Sequence, residues 1–306
     1  MESWSPKKIW HSQKKIPIRI RKNNQINIFY LFISIMLKAY VFDLDQNIVN
    51  TKTPIYLLVK QPDGSRQEEA VPNADFEKRL QDKEQVKFHD DFNQSMRDFR
   101  WPGKLIKDVF DAIDSKAFWP SWEKFKTATT EAAPTHIITA RGNPMEEFRE
   151  MHKQFIYEVL SKSERELFAY NMANNTRYTP RQIDVLVQQY LNNNLYIPCA
   201  DPETVAAYRW WKMDAHEKKA AAFEKCIKQT LTTYTKYYGK QFMRNRNISV
   251  WFSDDSKKNI DAVTQQIIEK LINRHPNISF MLYNTQEPKL IRKESIQRKP
   301  DSRPLF

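Results

Sequence analysis

Three apolar segments of this chain end in acidic or hydroxyl side chains, and this feature constrains the fold more than any other. The segments and their terminal residues are Leu37–Leu44 with Asp43 and Asp45, Thr135–Ala140 with Thr139, and Ile248–Ser253 followed by Asp254 and Asp255. Short apolar runs rich in β-branched and aromatic residues are typical of strands buried on both faces. A carboxylate at the end of such a strand is favourable only where a cation or a ligand compensates for its charge.

The sequence between these strands has helical periodicity. Helices are predicted for Gly103–Ile113, Ser121–Thr130, Pro144–Val159, Asp214–Leu231 and Asn259–Arg274, and further strands for Tyr196–Cys199 and Ile278–Tyr283. Strands that alternate with helices indicate an α/β fold, in which a parallel sheet carries helices on both faces. On such a sheet a functional site lies beyond the carboxyl ends of the strands.

A β-hairpin is predicted soon after the first strand. Pro54–Val59 and Glu68–Val71 flank the turn sequence PDGS, in which proline presets φ and glycine supplies a positive φ.

The carboxylates at the strand ends predict a metal site. Parallel strands bring their carboxyl ends to one edge of a sheet, where four carboxylates repel one another unless a cation lies between them. Oxygen ligands favour Mg²⁺ over softer ions. Each of these short motifs also occurs as an ordinary turn or helix cap, so the prediction depends on their combination.

The basic charge of the chain is concentrated in its tails. Of a formal net charge of +12, residues 1–35 hold seven Lys and Arg against Glu2, and residues 287–306 hold six against three acids. Tails of this composition are more typical of solvated segments than of specific nucleic-acid binders. Nucleic-acid binding through the tails therefore stays open but is not favoured.

The cysteine content indicates a reducing, cytoplasmic compartment. Two cysteines in 306 residues exclude a disulfide framework and a zinc-type cysteine cluster. Cys199 and Cys226 are interpreted as small core residues.

The apolar stretch Ile26–Leu37 is shorter than the roughly 20 residues that a membrane span needs, so no span is expected. It resembles the apolar region of a signal peptide, but cleavage there would cut into the first strand. Residues 1–35 are interpreted either as a packing extension of that strand or as an upstream extension with Met36 as the true start. The second interpretation is favoured.

Four segments resemble the motifs of the haloacid-dehalogenase-like (HAD) hydrolases of the phosphatase type. FDLDQNIVNT is similar to their first motif, IITARG to the second and WFSDDSKKNI to the fourth. HEKKAAAFEKCI offers Lys219 as the lysine of the third motif, with Lys218 as the alternative. The resemblance covers the chain from about Leu37 to about Thr285.

The resemblance implies a Rossmann-type catalytic domain at residues 36–286, followed by a basic tail at 287–306. It implies one insertion at about 53–118, which carries the hairpin as a flap, and a mainly helical insertion at about 143–213. Insertions over the mouth of a sheet typically select the substrate.

The resemblance also assigns catalytic roles. Asp43 would be the nucleophile that forms an aspartyl-phosphate. Asp45 would protonate the leaving oxygen and then activate water. Thr139 would hydrogen-bond the phosphoryl oxygens, and Lys219 would neutralise negative charge.

For the metal, the resemblance implies that Asp254 and Asp255 hold Mg²⁺ together with Asp43 and the backbone carbonyl of Asp45. The ion would stabilise charge in the transition state.

The first motif departs from the family pattern at two positions. Asn47 stands where Thr or Val is usual, and Gln46 stands where Gly is common. Because Asn is polar and tolerates turn conformations, an altered rate or geometry is expected rather than an inactive site. The presence of Asp45 favours phosphatase chemistry.

Other candidate side chains are interpreted as structural. The histidines His89, His136, His152 and His216 have no metal-ligand spacing. The tryptophans Trp101, Trp119, Trp122, Trp210 and Trp211 are expected to pack, with substrate stacking by Trp210 or Trp211 as the alternative.

The leading functional prediction is a magnesium-dependent phosphohydrolase that acts on a small phosphomonoester. A nucleotide or nucleic-acid end phosphatase is the second, because of the basic tails. The third, to which Asn47 points, is a non-catalytic binding protein with the same fold. The sequence does not specify the oligomeric state.

Overall fold

The computed structural model describes residues 36–73, 75–243, 246–287 and 289–294. The described strands are β1 Leu37–Phe42, β2 Pro54–Lys60, β3 Arg66–Pro72, β4 Val86–Phe88, β5 Thr135–Thr139, β6 Tyr196–Pro198, β7 Ile248–Asp254, β8 Ile278–Asn284 and β9 Lys289–Glu294.

Helices connect most of these strands. The described α-helices are Phe76–Arg79, Phe92–Ser95, Lys104–Asp114, Trp122–Thr130, Met145–Gln154, Lys162–Asn174, Ile183–Asn193, Pro202–Tyr208, Ala215–Tyr238, Lys240–Met243, Lys257–Val263 and Glu269–Arg274. Arg97–Phe99 is a 3₁₀ turn, and Phe155–Val159 and Thr264–Ile268 are π-helical.

The central sheet has six strands in the order β6-β5-β1-β7-β8-β9. All neighbours are parallel except β8 and β9, which are antiparallel. The predicted α/β class with a mostly parallel sheet is therefore confirmed. β1 lies between β5 and β7, and the carboxyl ends of these three strands share one edge.

Strand β9 corrects the boundary expected for the tail. Lys289–Glu294 pairs with β8 along its whole length, from Asn284 opposite Lys289 to Ser279 opposite Glu294. This segment was assigned to the basic tail because its charges hide the strand pattern. An edge strand tolerates charged side chains, because its outer side faces solvent.

The sheet is covered on both faces, as predicted. Side chains of β1 alternate between two cores, since successive strand residues point to opposite faces. Tyr40 and Phe42 join one core, and Ala39 and Val41 join the other. Cys199 and Cys226 are buried in the second core, which confirms their interpretation as core residues.

The predicted hairpin is confirmed. β2 and β3 are antiparallel, and β4 pairs with the other side of β2 to complete a three-stranded sheet. Gly64 in the turn has φ of +84°, a conformation that glycine adopts without strain. This small sheet has its own apolar core, centred on Ile55, Leu57 and Phe99.

The second insertion does not lie over the mouth of the sheet, contrary to expectation. Its helices contribute Phe148, Met151, Phe168 and Leu186 to the core that covers one face of the sheet. The periodic apolar residues of 143–213 therefore bury against the sheet rather than against a substrate.

Within the described residues, no helix is both long and apolar enough to cross a membrane. Most of the stretch Ile26–Leu37, with both interpretations of residues 1–35, lies outside the described residues.

Candidate functional site

The carboxyl ends of β1, β5 and β7 border a cavity of about 290 Å³. Five of the predicted site residues line it, namely Asp43, Asp45, Thr139, Lys219 and Asp255. Asp254, the sixth, is fully buried at the end of β7 and hydrogen-bonds Lys219. The structure thus brings together all of the residues that the sequence placed in the site.

Asp43 lies at the centre of this group. Its Oδ2 is 3.1 Å from Nζ of Lys219, and its Oδ1 is buried without a hydrogen-bond partner. Burial raises the pKa of Asp43 to about 7, and the charges of Asp254 and Asp45 add to the effect against the opposing charge of Lys219. A buried acceptor without a partner is costly, so the site favours a ligand at Oδ1.

Lys219, rather than Lys218, is the site lysine. Its Nζ donates to Oδ2 of Asp254 at 2.7 Å, and the side chain is 3% exposed. Burial alone would lower the pKa of Lys219, but Asp254 and Asp43 outweigh burial and raise it. The lysine is therefore a fixed positive charge.

The position of Lys219 depends on the start of its helix. Asp214 caps the helix Ala215–Tyr238 by accepting from the backbone N–H of Glu217, and Glu217 accepts from the N–H of Asp214. This reciprocal capping box fixes the first turn. Lys219 follows in the next turn, on the face that carries His216.

Asp254 and Asp255 complete the acidic cluster. Oδ1 of Asp254 accepts from the backbone N–H of Ser256 at 2.9 Å and from Nδ2 of Asn259 at 2.8 Å. Burial, together with the charges of Asp43 and Asp254, raises the pKa of Asp255 to about 9. Negative charge is therefore crowded at this edge of the sheet.

This cluster could hold a cation. Asp43, Asp254 and Asp255 each offer an oxygen, and these oxygens lie within 4.8 Å of one another. The unpartnered Oδ1 of Asp43 and the raised pKa values of Asp43 and Asp255 fit a site in which a positive ion offsets the repulsion. Oxygen-only donors suit a hard cation.

Asp45 makes different contacts, which the sequence did not reveal. Its carboxylate accepts two hydrogen bonds from the guanidinium of Arg141, at 2.7 Å from Nε and 2.8 Å from Nη2. Thr51 donates a third. Burial would raise the pKa of Asp45, but Arg141 outweighs it and lowers the pKa. The carboxylate of Asp45 is therefore engaged by Arg141 and does not join the acidic cluster. That the backbone carbonyl of Asp45 binds the metal stays a prediction.

Arg141 is the functional residue that sequence reasoning missed. It is 1% exposed, and its Nη2 also donates to the hydroxyls of Thr51 and Thr53 at 2.8 and 2.7 Å. Its charge lies 3.9 Å from Asp108, which accepts from Thr53. An arginine two residues after a strand-terminal hydroxyl was the available signal, because arginine is rarely buried without an acidic partner.

Thr139 has the position that its predicted role requires. It is 2% exposed and lines the cavity, and its Oγ1 accepts from the backbone N–H of Arg141 at 3.2 Å. The hydroxyl hydrogen can therefore point to an acceptor in the cavity.

Gln46 and Asn47, which differ from the first motif that the chain resembles, have separate structural roles. Gln46 has φ of +53°, which explains why glycine suits this position, and its side chain bonds the backbone of Asn73. Asn47 is fully buried behind the site, where its Oδ1 accepts from Ser253 at 2.8 Å. Asn47 thus contacts strand β7 and does not line the cavity.

His216 also lines the cavity, although its spacing gave no signal. Its Nδ1 is 2.6 Å from Oδ1 of Asn259, whose Nδ2 donates to Asp254. Since Asp254 only accepts, the amide orientation is fixed and Nδ1 of His216 is the donor.

Neither tryptophan offered as a stacking residue lines the cavity. Trp210 is 3% exposed and packs on Tyr208, whereas Trp211 is 66% exposed.

Comparisons of this chain with protein-family models, with curated proteins and with solved structures found no match.

Proposed function

We propose that this chain is a HAD-type phosphomonoester hydrolase in which Asp43 attacks the phosphoryl group. One observation carries the proposal: Asp43, Thr139 and Lys219 come from three separate segments and line a single cavity, and Asp254, from a fourth segment, hydrogen-bonds Lys219. Four motifs that resemble one family in sequence, and that converge in space, are difficult to explain by structural needs alone.

In this reaction Asp43 would attack phosphorus and form an aspartyl-phosphate, and the ester oxygen would leave. Lys219 offsets the charge on Asp43, and the O–H of Thr139 would donate to a phosphoryl oxygen. Water would then hydrolyse the aspartyl-phosphate and release inorganic phosphate.

The contacts of Asp45 fit the role of general base, which is one of its two proposed acid–base roles. Arg141 keeps its carboxylate ionised, which fits acceptance of a proton from the attacking water. Donation to the leaving oxygen needs a protonated Asp45, so at least one contact with Arg141 would be given up when the ester binds.

Asp43, Asp254 and Asp255 would hold Mg²⁺. When bound, the ion would neutralise the acidic cluster and allow an anion to approach an anion.

The test is hydrolysis of p-nitrophenyl phosphate by the purified chain with Mg²⁺ or with EDTA. We expect turnover that EDTA abolishes and that Asp43→Asn loses, while a phosphoryl group on the wild-type chain is trapped by acid quench and seen by mass spectrometry. Asp201→Asn is the matched control, because Asp201 is a buried helix cap that does not line the cavity and asparagine also caps helices.

Two outcomes would contradict the proposal. Activity retained by Asp43→Asn would exclude Asp43 as nucleophile. Absence of Mg²⁺ binding in isothermal titration calorimetry would contradict the proposed metal site and favour the alternative of a non-catalytic binding protein.

A further inference from the structure

One wall of the cavity is apolar and comes entirely from the first insertion. Ile55, Phe76, Met96 and Phe99 line it. Ile55 and Phe99 are buried in the small core of the insertion, whereas Phe76 and Met96 only pack against its edge and stay partly exposed. Their remaining apolar surface is therefore available to a ligand in the cavity.

The charges around the cavity leave no cation for a second anionic group. Among the described lining residues, the cations are Lys219 and Arg141. Lys219 contacts Asp43 and Asp254, and Arg141 contacts Asp45 in a bidentate pair. Nη1 of Arg141 makes no hydrogen bond with a described residue, but it is buried 3.9 Å from Asp108 and is therefore not accessible to a ligand. A second phosphate or a carboxylate on the substrate would lie near three lining carboxylates without a partner, which is unfavourable in a semi-enclosed site.

The remaining polar wall is rich in neutral groups. Gln46, Asn73 and Gln286 line it, and hydrogen bonds join them at one side of the cavity. Such groups can bond a hydroxyl or an ether oxygen but do not compensate a full charge.

From this lining we propose that the substrate is a monoester of a single phosphate with a neutral alcohol or phenol that has an apolar face. Phe76 and Met96 are the specificity-determining residues that contact this face. The inference rests on the proposed function, because the phosphoryl group must lie at Asp43. It excludes nucleoside diphosphates, bisphosphates and nucleic-acid ends as the preferred substrates.

The experiment compares kcat/KM of the full chain with Mg²⁺ for benzyl phosphate, 4-carboxybenzyl phosphate, glycerol 3-phosphate and a 3′-phosphorylated dinucleotide. Benzyl and glycerol esters have leaving groups of similar basicity, so their ratio reports binding of the alcohol. We expect benzyl phosphate to exceed each of the others by about tenfold or more, a ratio typical of apolar pockets.

Substitutions in the apolar wall test whether this wall causes the preference for benzyl phosphate. Phe76→Ser and Met96→Gln should lower the ratio of kcat/KM for benzyl phosphate to kcat/KM for glycerol 3-phosphate by about tenfold. Phe88→Ser is the matched control, because Phe88 packs against the same small core but does not line the cavity. It should match the loss in melting temperature of Phe76→Ser without the change in preference.

The possible failures are distinguishable. Preference for the carboxylated ester or for the dinucleotide would overturn the proposed substrate class and leave the proposed phosphatase function standing. Equal effects of Phe76→Ser and Phe88→Ser on the ratio of benzyl phosphate to glycerol 3-phosphate turnover would do the same. Absence of turnover for all esters and for p-nitrophenyl phosphate would overturn the proposed function and this inference together.

Discussion

At the scale of single residues, the pair of Asp45 and Arg141 defines the site as much as Asp43 does. A bidentate guanidinium fixes both the position and the plane of a carboxylate, which a lysine cannot do. Arg141 is itself held by Thr51 and Thr53, at the start of the first insertion. The carboxylate for which we propose the acid–base role is therefore positioned by contacts that reach from the end of β5 to the start of the first insertion.

Arg141→Lys tests this positioning role. The variant keeps a positive charge but cannot bond both oxygens of Asp45, so the carboxyl group loses the fixed position from which it would reach the leaving oxygen. We expect kcat for benzyl phosphate to fall about tenfold further than kcat for p-nitrophenyl phosphate, whose leaving group needs little protonation. Steady-state rates for the two esters give the ratio.

Asp45→Asn provides the comparison. It should shift the same ratio in the same direction, and the double variant should add little, because residues that act as one unit are not additive. A purely structural role of Arg141 would lower both rates equally and leave the ratio unchanged.

At the scale of elements, the first turns of the helix Ala215–Tyr238 contribute His216 and Lys219 to the site. Its capping box sets where the helix begins, and this start determines where His216 and Lys219 point. The chain has a second capping box, in which Ser161 and Glu164 cap the helix Lys162–Asn174. That helix packs in the core on one face of the sheet and contributes nothing to the cavity lining.

Asp214→Ala and Ser161→Ala form a matched pair of cap deletions. Both should lower the melting temperature by a few degrees, since each loses a cap of the same type. Only Asp214→Ala should reduce phosphatase activity severalfold, because fraying of its helix displaces Lys219. Equal activity of the two variants would show that the first turn does not position the lysine.

At the scale of the whole molecule, two buried histidines connect helices to the sheet, one histidine on each face of the sheet. His136 on β5 accepts from the backbone N–H of Leu195 and bonds Thr230 of the long helix at 2.9 Å. His152 bonds Thr129 and Tyr196 on the other side of the sheet. Burial lowers the pKa of both histidines to about 3, so both are neutral in the folded chain.

These two histidines should therefore weaken the fold in mild acid, whereas Asp43 and Asp255, whose raised pKa values make the folded chain bind protons more readily than the unfolded chain, act in the opposite direction. Below the ordinary histidine pKa of about 6.5 these histidines bind protons in the unfolded chain but not in the folded chain, so their contribution to the free energy of unfolding falls as pH decreases from there towards 3. Each histidine contributes up to about 1.4 kcal/mol per pH unit in this window. Urea midpoints between pH 7 and pH 5 measure the slope.

His152→Gln isolates one contribution. Glutamine can bond Thr129 or Tyr196 but does not titrate, so the variant should be less stable at pH 7 and have a shallower slope below pH 6.5. A slope equal to that of the wild type would exclude His152 as a source of the acid sensitivity.

The sequence by itself determined the elements and most of the site. Apolar runs that end in Asp43, Thr139 and Asp254 predicted three strands of one parallel sheet, and the hairpin turn was evident from its proline and glycine. These signals are local, because strand pattern, turn chemistry and helix periodicity depend on residues a few positions apart. The choice of Lys219 over Lys218 needed the structure, since adjacent residues on a helix differ only in the direction they face.

Only the tertiary structure decided which distant residues meet. The pair of Asp45 and Arg141 joins residues 96 positions apart, and no spacing rule predicts such a partner. The same holds for strand β9, whose pairing with β8 overrides a charged sequence, and for residues 143–213, whose apolar faces are buried by the sheet rather than by a ligand. Burial against distant segments fixes these features, and amphipathic periodicity tells that a face is buried but not what buries it.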